Sequence, residues 1–189
     1  MNGLAEMLSV WTTTRAAGIT AYLLLFASTA AGMMMSLKLI SGKTKATLLA
    51  VHQWSGWFGF LFSFVHGGVL LFDNYVGFSL FELLIPFSSD SDRLLTGFGT
   101  LAFYCTLLLL LSSDFIKKLG RRTWRLIHFL AFPAFYLALT HGLLMGTDSQ
   151  QPWVYGMYIA TGGLMLIFTG WRIAAVKFEN KLARGLRNA

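Results

Sequence analysis

The sequence predicts an all-α polytopic membrane bundle of about five transmembrane helices, and three observations carry that prediction. Its 189 residues are 56% hydrophobic and only 12% charged. The mean hydropathy is +0.62, far from the soluble norm. Five apolar runs are each long enough to cross a hydrocarbon core, which takes about 20 residues at 1.5 Å rise.

The spans are expected at about 16–37, 47–72, 94–113, 124–146 and 153–175, within a single domain over 1–189. The first resembles a secretory signal in its small residues Ala30, Ala31 and Gly32. A signal, however, carries positive charge ahead of its apolar stretch, whereas here Glu6 comes first and only Arg15 adjoins the run. Between the second and third spans, the segment Phe78 to Phe87 is too short to span and too apolar for free solution, so it is expected as a membrane-hugging connection. The single cysteine, Cys105, lies inside the third run and excludes an intramolecular disulfide.

A net charge of +7 suggests nucleic acid at first sight, but its distribution points to the membrane instead. Threading the chain through five spans places all of the fifteen Lys and Arg residues except Arg15 and Arg93 on one side. Glu6, Asp73, Glu82, Asp90, Asp92 and Asp148 fall opposite. The positive-inside rule makes the basic side cytoplasmic, with the N-terminus out and the C-terminus in, and no nucleic-acid partner is expected.

The four histidines fall in the second and fourth spans, His52 and His66 in one, His128 and His141 in the other. Imidazoles inside a bilayer are costly and mark function. Both spans run from the cytoplasm outward, so equal depths pair His52 with His128 and His66 with His141. Steps of 14 and 13 residues separate the two levels by ~21 and ~20 Å. One imidazole from each helix supplies both axial ligands of a six-coordinate b-type haem, and two such pairs predict two stacked haems with the histidines as iron ligands. Fourteen positions bring His66 within ~40° of the face of His52, but thirteen leave His141 ~140° out of phase with His128 unless Pro133 kinks the helix. Gly56, Gly59, Gly67 and Gly68 suit either approach of a flat macrocycle or helix packing. Phe58, Phe62, Phe132 and Phe135 lie between the two levels, where lipid-facing or core packing is the expected role.

Two stretches resemble the ferric reductase-like transmembrane domain shared by ferric reductases, NADPH oxidases and bacterial haem-containing membrane subunits. Val51-His52-Gln53-Trp54-Ser55-Gly56, continuing to Val65-His66-Gly67, is similar to the family's His-x-Trp-x-Gly pattern with a second histidine fourteen positions on. Arg121-Arg122-Thr123-Trp124-Arg125-Leu126-Ile127-His128, continuing to Thr140-His141-Gly142, is similar to its basic-Trp-x-x-x-His pattern. The resemblance implies bis-histidine b haems and electron transfer from an inner donor toward an outer acceptor, such as ferric iron, oxygen or a periplasmic protein. A bacterial cytoplasmic membrane is the expected location. No Gly-rich dinucleotide fingerprint is present, so a separate flavoprotein or a quinol is expected to supply electrons, and no catalytic side chain is assigned.

Arg15 and Arg93, the cations of the outer side, are candidates for neutralising outer haem propionates. Arg121, Arg122 and Arg125 are candidates for the inner propionates or for an acidic partner, with topology and lipid-phosphate contact as the plainer role. Trp11, Trp153 and Tyr155 fit interfacial anchoring. Two other functions fit parts of the pattern. A quinone-coupled respiratory cytochrome b also pairs histidines on two helices, and a histidine-based metal or proton transporter would use the imidazoles directly. The latter needs ligands at one depth and an intramembrane carboxylate, and the sequence offers neither.

Overall fold

The computed structural model describes residues 9–36, 40–73 and 77–187, and in the last helix the side chains as far as 178. Glu6, Lys38 and the side chains of Lys181, Arg184 and Arg187 lie outside the described residues. Every regular element among the described residues is a helix: α1 (Val10–Ser36), α2 (Gly42–Leu70), α3 (Leu80–Leu84), α4 (Arg93–Asp114), α5 (Ile116–His128), α6 (Ala131–Met145), a 3-10 turn (Thr147–Gln150) and α7 (Pro152–Arg187). Four of these, α1, α2, α4 and the Pro152–Phe178 part of α7, are long and apolar enough to cross a membrane. The bent pair α5 and α6 passes the same test together and, counted as one span, brings the number to five.

That fourth span departs from the single kinked helix expected over 124–146. It is two helices at 43°, broken at Phe129 and Leu130, one turn before Pro133. Proline has no N–H to offer the carbonyl four residues back, and its ring crowds that carbonyl. The Phe129 carbonyl accepts the Phe132 N–H at 3.3 Å instead. His128 therefore ends one helix and His141 sits in the next, so ideal-helix phase does not relate them. A second interruption lies within α5 at Gly120, whose φ of 77° is in the region that glycine adopts without a Cβ penalty.

The helices α1, α2, α4 and α6 close into a square. α1 packs on α2, α2 on α4, α4 on α6, and α6 on α1, with α7 applied outside against α1 and α6. The helices α2, with His52 and His66, and α6, with His141, occupy opposite corners and are not packed on each other, and His128 ends α5 just before α6 begins. Small buried residues on α1, namely Ala17, Ala21, Ala30 and Ala31, let the neighbours approach. Gly59 belongs to this contact: a Cβ there would meet the Leu24 side chain at 3.3 Å and the Ala21 carbonyl at 3.5 Å. Its role, like that of Gly56 against Ser28, includes helix packing.

Between the two histidine levels an aromatic cluster packs where α1 and α6 meet α7. Phe135 is fully buried and stacks on Tyr22 at 5.8 Å between centroids, with Phe26 at 6.2 Å and Tyr136 at 5.4 Å. The hydroxyls of Tyr22 and Thr161 are 2.6 Å apart, so the buried phenol is satisfied and α7 is tied to α1. Phe58 and Phe62 are exposed on the outside of α2, in keeping with the lipid-facing role expected of them.

Candidate functional site

Four half-buried imidazoles form two facing pairs. The rings of His52 and His128 have centroids 5.9 Å apart at 67°, and those of His66 and His141 are 6.1 Å apart at 81°. The pairing expected from equal depth is the one the fold produces. It arises across the diagonal of the square, where the other two helices hold α2 and α6 apart.

Three of the rings are fixed through Nδ1. His66 Nδ1 lies 2.8 Å from the Thr14 carbonyl, His52 Nδ1 2.8 Å from the Ser28 carbonyl, and His141 Nδ1 2.8 Å from the Leu95 carbonyl. A carbonyl can only accept, so the tautomer assigned from these contacts carries its proton on Nδ1 and keeps the lone pair on Nε2. Ser28 holds His52 twice, because its hydroxyl also donates to the His52 carbonyl at 2.8 Å. His128 differs: its Nδ1 is buried without a partner, and its ring lies against the Trp124 indole at 4.7 Å.

A cavity of about 430 Å³ opens beside the His66 and His141 pair. Its walls are mainly apolar, with Arg15, Thr14 and Asp148 at one edge. The segment Phe78 to Phe87, expected to hug the membrane, contributes Phe78, Leu80, Leu83 and Leu84 to the cavity wall. Side-chain packing brings it there. Phe78 is buried, the Phe87 ring occupies the space beside Gly97 where a Cβ would stand, and the Tyr104 hydroxyl donates to the Leu84 carbonyl at 2.7 Å.

The same segment carries a capping box. The Ser79 hydroxyl and amide donate to the Glu82 carboxylate at 2.7 and 2.8 Å, the Asp90 amide donates to it at 3.1 Å, and the Glu82 amide donates back to the Ser79 hydroxyl. These donors, the Ser79 hydroxyl first, hold the Glu82 carboxyl below its ordinary value of 4.5. A folded-state value below the unfolded one contributes order that is full above 4.5 and is lost as pH falls through the lowered value. Protection of the Ser79 and Asp90 amides, relative to their intrinsic exchange rates, is expected to fall on acidification over that window, and in Glu82→Gln to lose that dependence.

The arginines separate. Arg15 lines the cavity, pairs with Asp148 at 2.7 Å, and has a buried Nε without a partner. Arg93 is exposed, 4.0 Å from Asp90, and does not line the cavity. Arg125 is exposed three residues before His128. Among the described residues no group of three or more His, Cys, Asp or Glu side chains converges.

Several residues of the site were not singled out from the sequence. Gly18, Gly32 and Gly99 lie directly against the rings of His66, His52 and His141, and Thr14, Ser28 and Leu95 supply the carbonyls. The recoverable trace is a Thr-x-x-x-Gly and a Ser-x-x-x-Gly on α1, set apart by the same fourteen residues as His52 and His66.

No curated protein and no solved structure matches the chain. A family model does, over residues 17–139, a stretch that takes in His52, His66 and His128 and stops two residues short of His141. By that match the chain belongs to the family described as the ferric reductase like transmembrane component.

Proposed function

We propose that the chain is a dihaem b-type membrane cytochrome. Electrons pass across the bilayer from a cytoplasmic flavoprotein or quinol donor to an outer acceptor such as ferric iron, oxygen or a periplasmic protein. Family membership supports electron transfer in the membrane. The basic flank, with Lys43, Lys45, Lys117, Lys118, Arg121, Arg122 and Arg125, supports the cytoplasmic assignment of that end. A bacterial cytoplasmic membrane is the proposed setting.

The observation that carries the reading is the separation of the facing imidazoles. Two metal–nitrogen bonds of about 2 Å, added to about 1 Å from each Nε2 to its ring centre, call for centroids about 6 Å apart. The two pairs stand at 5.9 and 6.1 Å. The donor set fits as well: the far nitrogens of His52, His66 and His141 are hydrogen-bonded, which fixes ring orientation and raises ligand basicity. Bound in these positions, haem supplies one-electron chemistry. His52 and His128 hold the inner group, and His66 and His141 the outer. The buried Nε of Arg15, at the cavity edge beside the outer pair, suits a propionate. Arg93 on the outer side and Arg125 on the inner are further cationic candidates for propionates. Levels about 21 Å apart along α2 divide the membrane into two short electron steps, whereas a transporter built on these imidazoles needs them at one depth.

An optical spectrum of the purified full chain before and after dithionite tests the reading. A b-type spectrum with about two haems per chain is expected. A colourless protein that takes up no haem overturns it.

A further inference from the structure

The contacts that hold three of the histidines share one design. Thr14 and Ser28 on α1 and Leu95 on α4 present their carbonyls to His66, His52 and His141, each at 2.8 Å. In every case the residue four positions later is glycine: Gly18, Gly32 and Gly99. A Cβ on these glycines would stand 2.8 Å from His66 Nδ1, 3.2 Å from His52 Nδ1 and 2.9 Å from His141 Nδ1. Helix geometry supplies the reason. The N–H of residue i+4 is directed at the carbonyl of residue i, so the Cβ of i+4 flanks that carbonyl's remaining lone pair. With only hydrogen there, an imidazole from the neighbouring helix lies edge-on and donates to it. On α1 the two seats are fourteen residues apart, matching the spacing of His52 and His66 on antiparallel α2.

The same fourteen-residue step along α4 leads from Leu95 and Gly99 to Leu109 and Ser113. Here the seat is filled. The hydroxyls of Ser112 and Ser113 donate to the Leu109 carbonyl at 3.0 and 2.8 Å, and Ser113 Oγ accepts the Trp124 indole N–H at 3.2 Å. Trp124 in turn lies against His128, whose Nδ1 has no partner.

We infer that Gly18, Gly32 and Gly99 are positioning residues for electron transfer. Each clears the edge of one imidazole so that its Nδ1–H reaches a helix carbonyl, while Ser113 withholds such a seat from His128. The His66 and His141 pair is thus seated on both sides, and the His52 and His128 pair on one. The inference rests on the haem reading for its readout. A hydrogen bond on the far nitrogen strengthens the ligand and favours ferric iron, so losing it raises the reduction potential of that level alone.

The test is a potentiometric titration with low-temperature EPR on full-length wild type and on Gly18→Ala, Gly99→Ala, Gly32→Ala and Gly163→Ala. Gly18→Ala and Gly99→Ala are expected to raise the outer potential and change the outer low-spin g-values while leaving the inner signal unchanged. Gly32→Ala does the same to the inner level, by less, because its contact is the longest of the three. Gly163→Ala changes neither, since nothing lies within 4 Å of a Cβ there. Should the two tighter variants fail to fold, Gly32→Ala and Ser113→Gly still decide the matter. Combined with Ser112→Ala, which takes the other hydroxyl off the Leu109 carbonyl, the latter opens the fourth seat and lowers the inner potential. Variants indistinguishable from a two-haem wild type, or both levels shifting together, overturn the seating and leave the proposed function standing. A wild type without haem overturns both.

Discussion

His66→Ala or His141→Ala is expected to yield a purified protein with one haem per chain in place of two, retaining the signal of the inner level. His52→Ala or His128→Ala removes the inner haem and retains the outer. The effect is expected at one level at a time because each pair supplies its own two imidazoles. Among the described residues no third His, Cys, Asp or Glu converges on either, and the facing ring centroids are 5.9 and 6.1 Å apart. The pyridine haemochrome content of the four variants, together with EPR of the haem that remains, checks the pattern. Loss of both haems from every variant would sink the assignment of independent levels. Loss in the pattern His52 with His141 would sink the pairing.

Phe135→Ala is expected to cost about 3–5 kcal/mol, the range for truncating a fully buried aromatic side chain. Phe135 is 0% exposed and is enclosed by Tyr22, Phe26 and Tyr136. Inside a bilayer, association between helices depends on close packing rather than on escape from water, so lost dispersion contacts fall directly on stability. Phe58→Ala, at a side chain 46% exposed on the outer face of α2, is expected to change stability by less than about 0.5 kcal/mol. Reversible unfolding in mixed micelles compares the two. Equal losses would show that the aromatic cluster does not tie α1, α6 and α7 together.

Much of the fold was legible because a bilayer imposes a length and a composition on whatever crosses it. The apolar runs therefore became helices, four of them long and apolar enough to cross a membrane and a bent pair that passes the same test together. His52 and His66 were readable for a related reason, since fourteen residues return nearly to the same helix face and α2 is unbroken between them. His128 and His141 were readable by depth but not by phase. The break at Phe129 and Leu130 changes the axis by 43°, and residue counting along one ideal rod has no meaning across it. How the Phe78 to Phe87 segment packs was not legible for a different reason. Its apolar content was visible, but the surface that content covers is a cavity wall made by other helices.

What the sequence alone determined was periodic or additive: helices apolar enough to cross a membrane, and the positions along them at which imidazoles occur. Each follows from residues near one another in the chain. The tertiary structure decided which neighbours those imidazoles meet. That α2 and α6 stand at opposite corners of a square, that Thr14, Ser28 and Leu95 offer carbonyls through the space left by glycines, and that Ser113 and Trp124 occupy the fourth place all depend on how helices distant in sequence are set against one another. A glycine carries no side chain to announce a contact, so its purpose is visible only when the group it makes room for has been brought beside it.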